Sequence, residues 1–246
     1  MKHRNSLTLL SLGACLAGLV SSQANAAIAL DRTRVIFDGD QKSLSLTVSN
    51  ENKQLPYLAQ AWLEDVQGNK IQQPLTVLPP VQRIEPGATS QVKLQSLPGI
   101  ASLPQDKETL YYFNLREIPP RSDKPNTLQL ALQTRIKLFY RPKALKADLS
   151  RAPWQEKLTL TRSGAGYRVN NPTPYYVTLS EASESVAGAA LKNFEPVMVE
   201  PNGEAALKGV TGSSPVLTYI NDYGGRVQLK FACAGSSCTA SPVKKQ

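Results

Sequence analysis

Apolar and polar residues alternate strictly through the stretch from Asn126 to Tyr140. Leu128, Leu130 and Leu132 fall on one side, and Gln129, Ala131 and Gln133 on the other. A period of two predicts a strand with one face that needs apolar cover. Shorter runs rich in Val, Leu, Thr and Tyr recur roughly every ten residues, separated by Pro, Gly, Asn and Asp. They predict strands over Arg34 to Phe37, Ser43 to Ser49, Tyr57 to Glu64, Ser90 to Gln95, Thr109 to Arg116 and Leu128 to Tyr140. After Ala147 they predict Leu158 to Arg162, Gly166 to Asn170, Tyr176 to Ser180, Val197 to Glu200, Ala205 to Leu207, Val216 to Asn221 and Val227 to Cys233. No long segment holds a helical period, so the pattern predicts an all-β chain of sandwiches.

By periodicity alone, the three leucines face the core of their own domain. Their parity raises a question. Thr134, Ile136 and Leu138 share the even positions of the leucines, whereas Arg135 and Lys137 are odd. A regular strand places Lys137 opposite the leucines, unless a bulge or twist intervenes or the two halves of the strand serve different neighbours.

The first residues read as an address rather than as part of the fold. Lys2 and Arg4 form a basic start, Leu7 to Val20 is mostly apolar, and Ala24-Asn25-Ala26 fits a small-x-small cleavage site. Cleavage before Ala27 leaves 246 − 26 = 220 residues, an exported chain long enough for two domains of about 100 residues each. No later run reaches the ~18 apolar residues of a membrane span, so no membrane insertion is expected. The boundaries expected are a leader at 1–26, an N-terminal domain at 27–146, a C-terminal domain at 147–242 and a tail at 243–246. Composition shifts to Pro, Lys, Ala, Asp and Ser between Arg141 and Pro153, and Ser180 to Ala190 reads as a surface loop.

The net charge of +9 falls to +7 without Lys2 and Arg4, and is dispersed rather than run together. Export argues against a nucleic-acid partner, so the balance favours an acidic or carboxylate-bearing one. Cys15 leaves with the leader. Cys233 and Cys238 then read as a short disulfide loop in an oxidising compartment, with a metal pair as the alternative and no other soft ligand nearby. The sole histidine, His3, lies in the leader too. A mature chain without histidine excludes His-based triads, His-ligated metals and imidazole proton shuttles. With no carboxylate pair in an apolar setting and no phosphate-cradling loop, neither an enzyme nor a cofactor is expected. The nine tyrosines, two tryptophans and five phenylalanines are scattered at strand positions and are expected to pack cores.

Several blocks together resemble the periplasmic pilus chaperones of the chaperone–usher pathway. The most specific is Leu103-Pro104-Gln105-Asp106-Lys107-Glu108, followed by Tyr112, Asn114-Leu115 and Ile118-Pro119-Pro120. Leu30-Asp31-Arg32-Thr33-Arg34, the run from Gln54 to Trp62, Asn171-Pro172-Thr173-Pro174-Tyr175-Tyr176 and the run from Tyr219 to Arg226 extend it over essentially the whole mature chain.

The resemblance implies two immunoglobulin-like domains set in an L around a cleft. It also implies pilin or fimbrial subunits and an outer-membrane usher as partners. Residues 126–140 become a donor strand whose Leu128, Leu130 and Leu132 fill the open groove of a subunit that lacks its last strand. Burying each leucine is worth about 1.5–3 kcal/mol, enough for capture without ATP. Arg34 and Lys137 are implied to hold the subunit's C-terminal carboxylate. Glu108, Arg141 and Asp222 are implied to form a salt-bridge cluster between domains. The short loop from Arg116 to Pro125 fits pilus chaperones better than those serving thin, non-pilus fibres. An exposed donor edge also suggests a self-capping homodimer when no subunit is bound. The competing readings are a structural fimbrial or adhesin subunit, which calls for an N-terminal donor extension absent from Ala27 to Asp31, and a hydrolase or carbohydrate-binding module.

Overall fold

The computed structural model describes residues 26–148 and 150–243. The leader reading, apart from Ala26, and the last three residues lie outside them. The first part of the chain forms β1 (Ile28–Leu30), β2 (Arg34–Asp38), β3 (Ser43–Asn50), β4 (Tyr57–Glu64), β5 (Lys70–Ile71), β6 (Leu75–Leu78), β7 (Val81–Ile84), β8 (Thr89–Ser96), β9 (Thr109–Ile118) and β10 (Gln133–Arg141). The second part forms β11 (Thr159–Ser163), β12 (Gly166–Asn171), β13 (Val177–Ser183), β14 (Val197–Val199), β15 (Gly203–Leu207), β16 (Val216–Ile220), β17 (Arg226–Ala234) and β18 (Ser237–Pro242). Among the described residues helix is confined to single 3-10 turns, two of which, Lys143–Leu145 and Trp154–Lys157, flank the junction between the two parts.

Each part closes over its own apolar core. In the first, the sheet β1-β3-β8-β6 packs on the sheet β2-β10-β9-β4-β5, with β7 also paired to β4. Alternation decides what is buried between them. Val35 and Phe37 of β2, Leu46 and Val48 of β3, Ala61 and Leu63 of β4, Phe113 and Leu115 of β9, and Leu138 of β10 point inward. In the second part the path β14-β13-β16-β17-β18-β11-β12-β15 wraps a core containing Leu160, Val169, Leu179, Leu217 and Phe231. This is the expected all-β architecture of two immunoglobulin-like sandwiches.

Cys233 and Cys238 face each other across β17 and β18 and are joined as a disulfide. The structure also corrects the aromatic reading. Trp62 and Tyr112 lie on the outer face of the first domain, where Lys70 sits 4.6 Å from the Trp62 ring and Arg135 3.4 Å from the Tyr112 ring. Outward positions of β4 and β9 alternate with core positions, and cation–π contact suits rings left there.

The first segment of the chain determines which part of β10 has a neighbour. The chain changes sheets between β1 and β2, so β1 pairs with β3 in one layer while β2 runs parallel to β10 in the other. The β2–β10 pairing is parallel, whereas every other pairing among the described strands is antiparallel. Its register starts at Arg34 opposite Lys137 and ends at Asp38 opposite Arg141.

Candidate functional site: an open strand edge above a cationic pair

The expected strand from Leu128 to Tyr140 is shorter than its alternation implies. β10 begins only at Gln133, opposite Arg116 of β9. One further bond, from the Glu117 amide to the Leu132 carbonyl at 3.0 Å, extends this contact. Beyond it β9 ends at Ile118, and Pro119 and Pro120 have no N–H to continue a ladder. On the opposite edge, β2 starts only at Lys137. Residues 127–131 therefore carry a strand-like sequence with no described strand beside them. Alternation reported a preference for pairing, and the neighbours needed to satisfy it are missing from the domain.

Leu128, Leu130 and Leu132 are 82, 65 and 47% exposed. They do not face the core of their own domain, as periodicity alone implies. The parity question also resolves. Ile136, Leu138 and Tyr140 continue the leucine series into the core of the first domain, with no bulge between β10 and either neighbour. One row of side chains thus begins outside the sandwich and ends inside it.

The odd-numbered row passes from solvent to the domain junction within six residues. Arg135 is exposed and pairs with Glu64 at 2.9 Å. Lys137 is half-buried and donates from Nζ to the Thr178 hydroxyl at 3.2 Å. Phe139 is buried 5.6 Å from the Tyr176 ring, and Arg141 is buried among residues of the second domain. Arg34, beside Lys137 in the register, donates from one terminal nitrogen to the Ile220 carbonyl at 3.3 Å. Its buried Nε has no hydrogen-bond partner.

Both cations are tied to the second domain through uncharged oxygens, and neither is in an ion pair among the described residues. Asp222, the acid whose field reaches Arg34, is committed to Arg141. Burial, then the proximity of Arg34, lowers the pKa of Lys137, and burial lowers that of Arg34. Two like charges held side by side and partly shielded from water make an unfavourable arrangement that an added anion relieves. An unpaired Nε beside them has a donor to spare.

Glu108, Arg141 and Asp222 do come together. Arg141 Nε donates to Glu108 Oε1 at 2.8 Å, and its two terminal nitrogens grip Asp222 at 2.8 and 3.1 Å. Glu108 Oε2 accepts the Tyr176 amide at 2.8 Å, so one carboxylate holds both a side chain of its own domain and the backbone of the other. Burial pushes Glu108 up to about 7, against the pull of Arg141 and the Tyr176 amide. Burial also disfavours charge on Arg141, but its bonds to Asp222 and the field of Glu108 outweigh this and raise its pKa. The opposed tendencies are resolved by chemistry: a guanidinium does not lose its proton at physiological pH, so the titration belongs to Glu108.

Sequence reasoning missed the scaffold beneath this cluster. Trp154 stacks on Tyr175 with centroids 4.4 Å apart, and the Arg141 guanidinium lies about 5 Å from both rings. The Tyr175 hydroxyl donates to the Leu145 carbonyl in the connecting segment at 2.8 Å. Thr178 was missed too, and Tyr176 and Ile220 fell within the recognised blocks without a role, because a hydroxyl or backbone atom recruited across a domain boundary leaves no local pattern. Asp222 is held up by the turn after β16. Asn221 Oδ1 accepts the Tyr223 and Gly225 amides at 3.0 and 2.8 Å. Gly224 adopts φ +82° where a Cβ would stand 2.5 Å from the Thr33 hydroxyl. Glycine meets both demands there, the positive φ and the close approach to the start of β2.

Comparison with known proteins agrees with this geometry. Residues 27–146 match the family described as pili and flagellar-assembly chaperone, PapD N-terminal domain. Residues 153–231 match the pili assembly chaperone PapD, C-terminal domain. The chain is 55% identical over 225 residues to the probable fimbrial chaperone YfcS of Escherichia coli K12, covering 92% of this chain and 90% of that protein. It is 54% identical over 228 residues to the chaperone protein PapD of Escherichia coli, covering 92 and 94%. Among solved structures, the periplasmic chaperone SfaE aligns with TM-score 0.69 and 30% identity over 84% of this chain and all of that one. A Salmonella enterica SafA pilin in complex with the SafB chaperone aligns with TM-score 0.72 and 26% identity, covering 86% of this chain and 99% of that one.

Proposed function

The chain belongs to the PapD-type pilus-assembly chaperones, whose two domains it contains, and from that premise we propose that it captures pilin subunits in the periplasm through the open edge of β10 and delivers them to an outer-membrane usher. The observation that carries this reading is the half-occupied edge of β10. β2 fills it from Lys137 onward, while the preceding residues offer unpaired backbone and three exposed leucines.

A subunit that lacks its last strand exposes an apolar groove and unpaired edge amides. Residues 127–136 supply a strand to those amides, and the leucines enter the groove. Their combined exposure is close to that of two whole leucines, so burial contributes about 3–6 kcal/mol before ordering costs. That binds without ATP, and it leaves the complex weak enough to be exchanged later.

The cationic pair sets the register. A subunit strand that joins the vacant half of the edge runs toward the start of β2. If it runs parallel to β10, its C-terminal carboxylate arrives at Arg34 and Lys137, where charge-assisted hydrogen bonds await it. A slip by one residue would turn the wrong side chains inward, so a fixed terminus protects the pairing. Glu108, Arg141 and Asp222 hold the second domain in place behind the anchor. The competing reading as a structural subunit calls for an N-terminal donor extension, and Ile28–Leu30 is instead occupied as β1 within its own domain.

The test is a periplasmic pull-down with mass spectrometry, comparing wild type with Arg34→Ala and Lys137→Ala. Wild type is expected to recover pilins, and both folded variants to lose them. Equal recovery by the variants would remove the anchor. An empty wild-type pull-down from cells expressing pilins would remove the capture role.

A further inference from the structure

Glu117 is an acid in a core row. Tyr111, Phe113 and Leu115 precede it on the inward face of β9, and it is itself only 6% exposed. Its Oε2 accepts the Ile28 amide at 2.9 Å. Its Oε1 accepts no hydrogen bond, and the carboxyl is in no ion pair among the described residues. It borders an open hollow of about 690 Å3 lined by Ala26, Ala27, Ala29, Glu51, Asn52, Tyr57 and Glu117. Two acidic residues thus line a space with no lysine or arginine among its described lining, and one of them, Glu51, already accepts the Ser49 hydroxyl at 2.6 Å. A carboxylate on so buried a side chain gains from a cation supplied beside it.

The missing cation is one residue away. Ala27 is pinned on both sides, because its carbonyl accepts the Glu51 amide at 2.7 Å and the next amide binds Glu117. Successive backbone nitrogens lie within ~4 Å of each other, and such pairs form natural cradles for anions. We propose that the Glu117 and Glu51 carboxylates form a binding site for a primary ammonium, the α-amino group of Ala27 released when the leader is removed. Hydrolysis of the Ala26–Ala27 peptide bond leaves a carboxylate on the departing Ala26 and an ammonium on Ala27. Departure of Ala26 also opens the hollow on that side. Maturation then completes an ion pair that the precursor cannot make, locking β1 against β9 at the edge of the sandwich.

The occupant is a cation whose pKa rises on pairing. Its stabilisation is fully present below the unfolded α-amino value of about 8 and is lost as pH rises through the folded value. The groups lining the hollow are Glu51 on the segment after β3, Glu117 on β9 and Tyr57 at the start of β4.

The test uses the exported, leader-free chain. Mass spectrometry defines its first residue, and a start other than Ala27 would overturn the inference. The Ala27 13Cα resonance of the uniformly 13C-labelled protein is then followed by NMR across pH, which titrates the α-amine unmodified. A midpoint at least about one unit above the ordinary 7.7–8.0 is expected, returning toward it in Glu117→Gln. An ordinary midpoint in wild type would overturn the proposal without need of the variant. Adding one glycine before Ala27 should lower the melting temperature of wild type but not of Glu117→Gln, and equal effects in both would also overturn it. Pilin capture does not pass through this hollow, so its loss or retention in the pull-down bears on the proposed function alone.

Discussion

Lys137 lies directly opposite Arg34 in the parallel pairing of β10 with β2, at the residue where β10 gains its second neighbour. Upstream of that point the edge is open, and downstream it is closed. A strand added to the open half therefore ends where two unpaired cations are concentrated, and both cations belong to a junction already held by the second domain.

Removing either cation should weaken subunit capture without harming the chaperone itself. Each charge-assisted hydrogen bond is worth about 1.5–3 kcal/mol, so Arg34→Ala or Lys137→Ala should weaken binding of a C-terminal pilin peptide by roughly 10–100-fold. The free protein should melt at the wild-type temperature or slightly above, since the repulsion between two half-buried like charges is relieved. Calorimetric titration beside a thermal melt separates the two effects. A large loss of stability would mean that the cations serve the fold.

Leu130→Asp should abolish capture while leaving the melting temperature within the error of a surface substitution, about 0.5 kcal/mol. The side chain is 65% exposed and supports nothing in its own domain. Light scattering on the same variant reports on self-association. If free chaperone caps itself through this edge, Leu130→Asp should be monomeric at concentrations where wild type is not.

The junction between domains should respond to acid through Glu108. Its folded pKa of about 7 lies above the ordinary carboxylate value, so the folded state holds a proton that the unfolded state releases. Its contribution to stability is therefore largest below the unfolded value of about 4.3 and falls as pH rises toward 7. Chemical denaturation across pH 4 to 8 should show this slope in wild type and its absence in Glu108→Gln. A pH-independent difference between the two proteins would refute the assignment.

Replacing Cys233 and Cys238 together by alanine should destabilise the second sandwich by only about 2 kcal/mol, because the bridge closes a loop between residues five apart. The first sandwich should be unaffected. Separate unfolding transitions by differential scanning calorimetry would show which one moves.

Legibility in the sequence varies by element. β3 and β4 alternate cleanly between a core face and an outer face, and their spans match the periodicity within a residue or two. β1, β5, β6, β7 and β18 give no usable period: the first four have two to four residues each, and β18 is built largely of Ser, Thr and Ala. The surface loop expected from Ser180 to Ala190 starts later, because β13 runs on to Ser183 past an irregularity between Leu179 and Glu181. Size alone assigns Trp62 and Tyr112 to the core, yet alternation and nearby cations hold them outside.

Residue types and their spacing were enough for the composition-level facts: an all-β chain, no histidine after His3, a cysteine pair near the end, and a leucine row at period two. These are local properties, fixed by residue type and spacing. Tertiary structure alone decided whether that row was buried. The first segment of the chain pairs as β1 in the far sheet and returns as β2 only at Arg34, while Pro119 and Pro120 end β9 on the other side. Those two non-local events leave residues 127–131 without a strand on either edge among the described residues. No pattern within the row encodes its neighbours, because a hydrogen-bonded edge belongs to a pair of strands and not to either one.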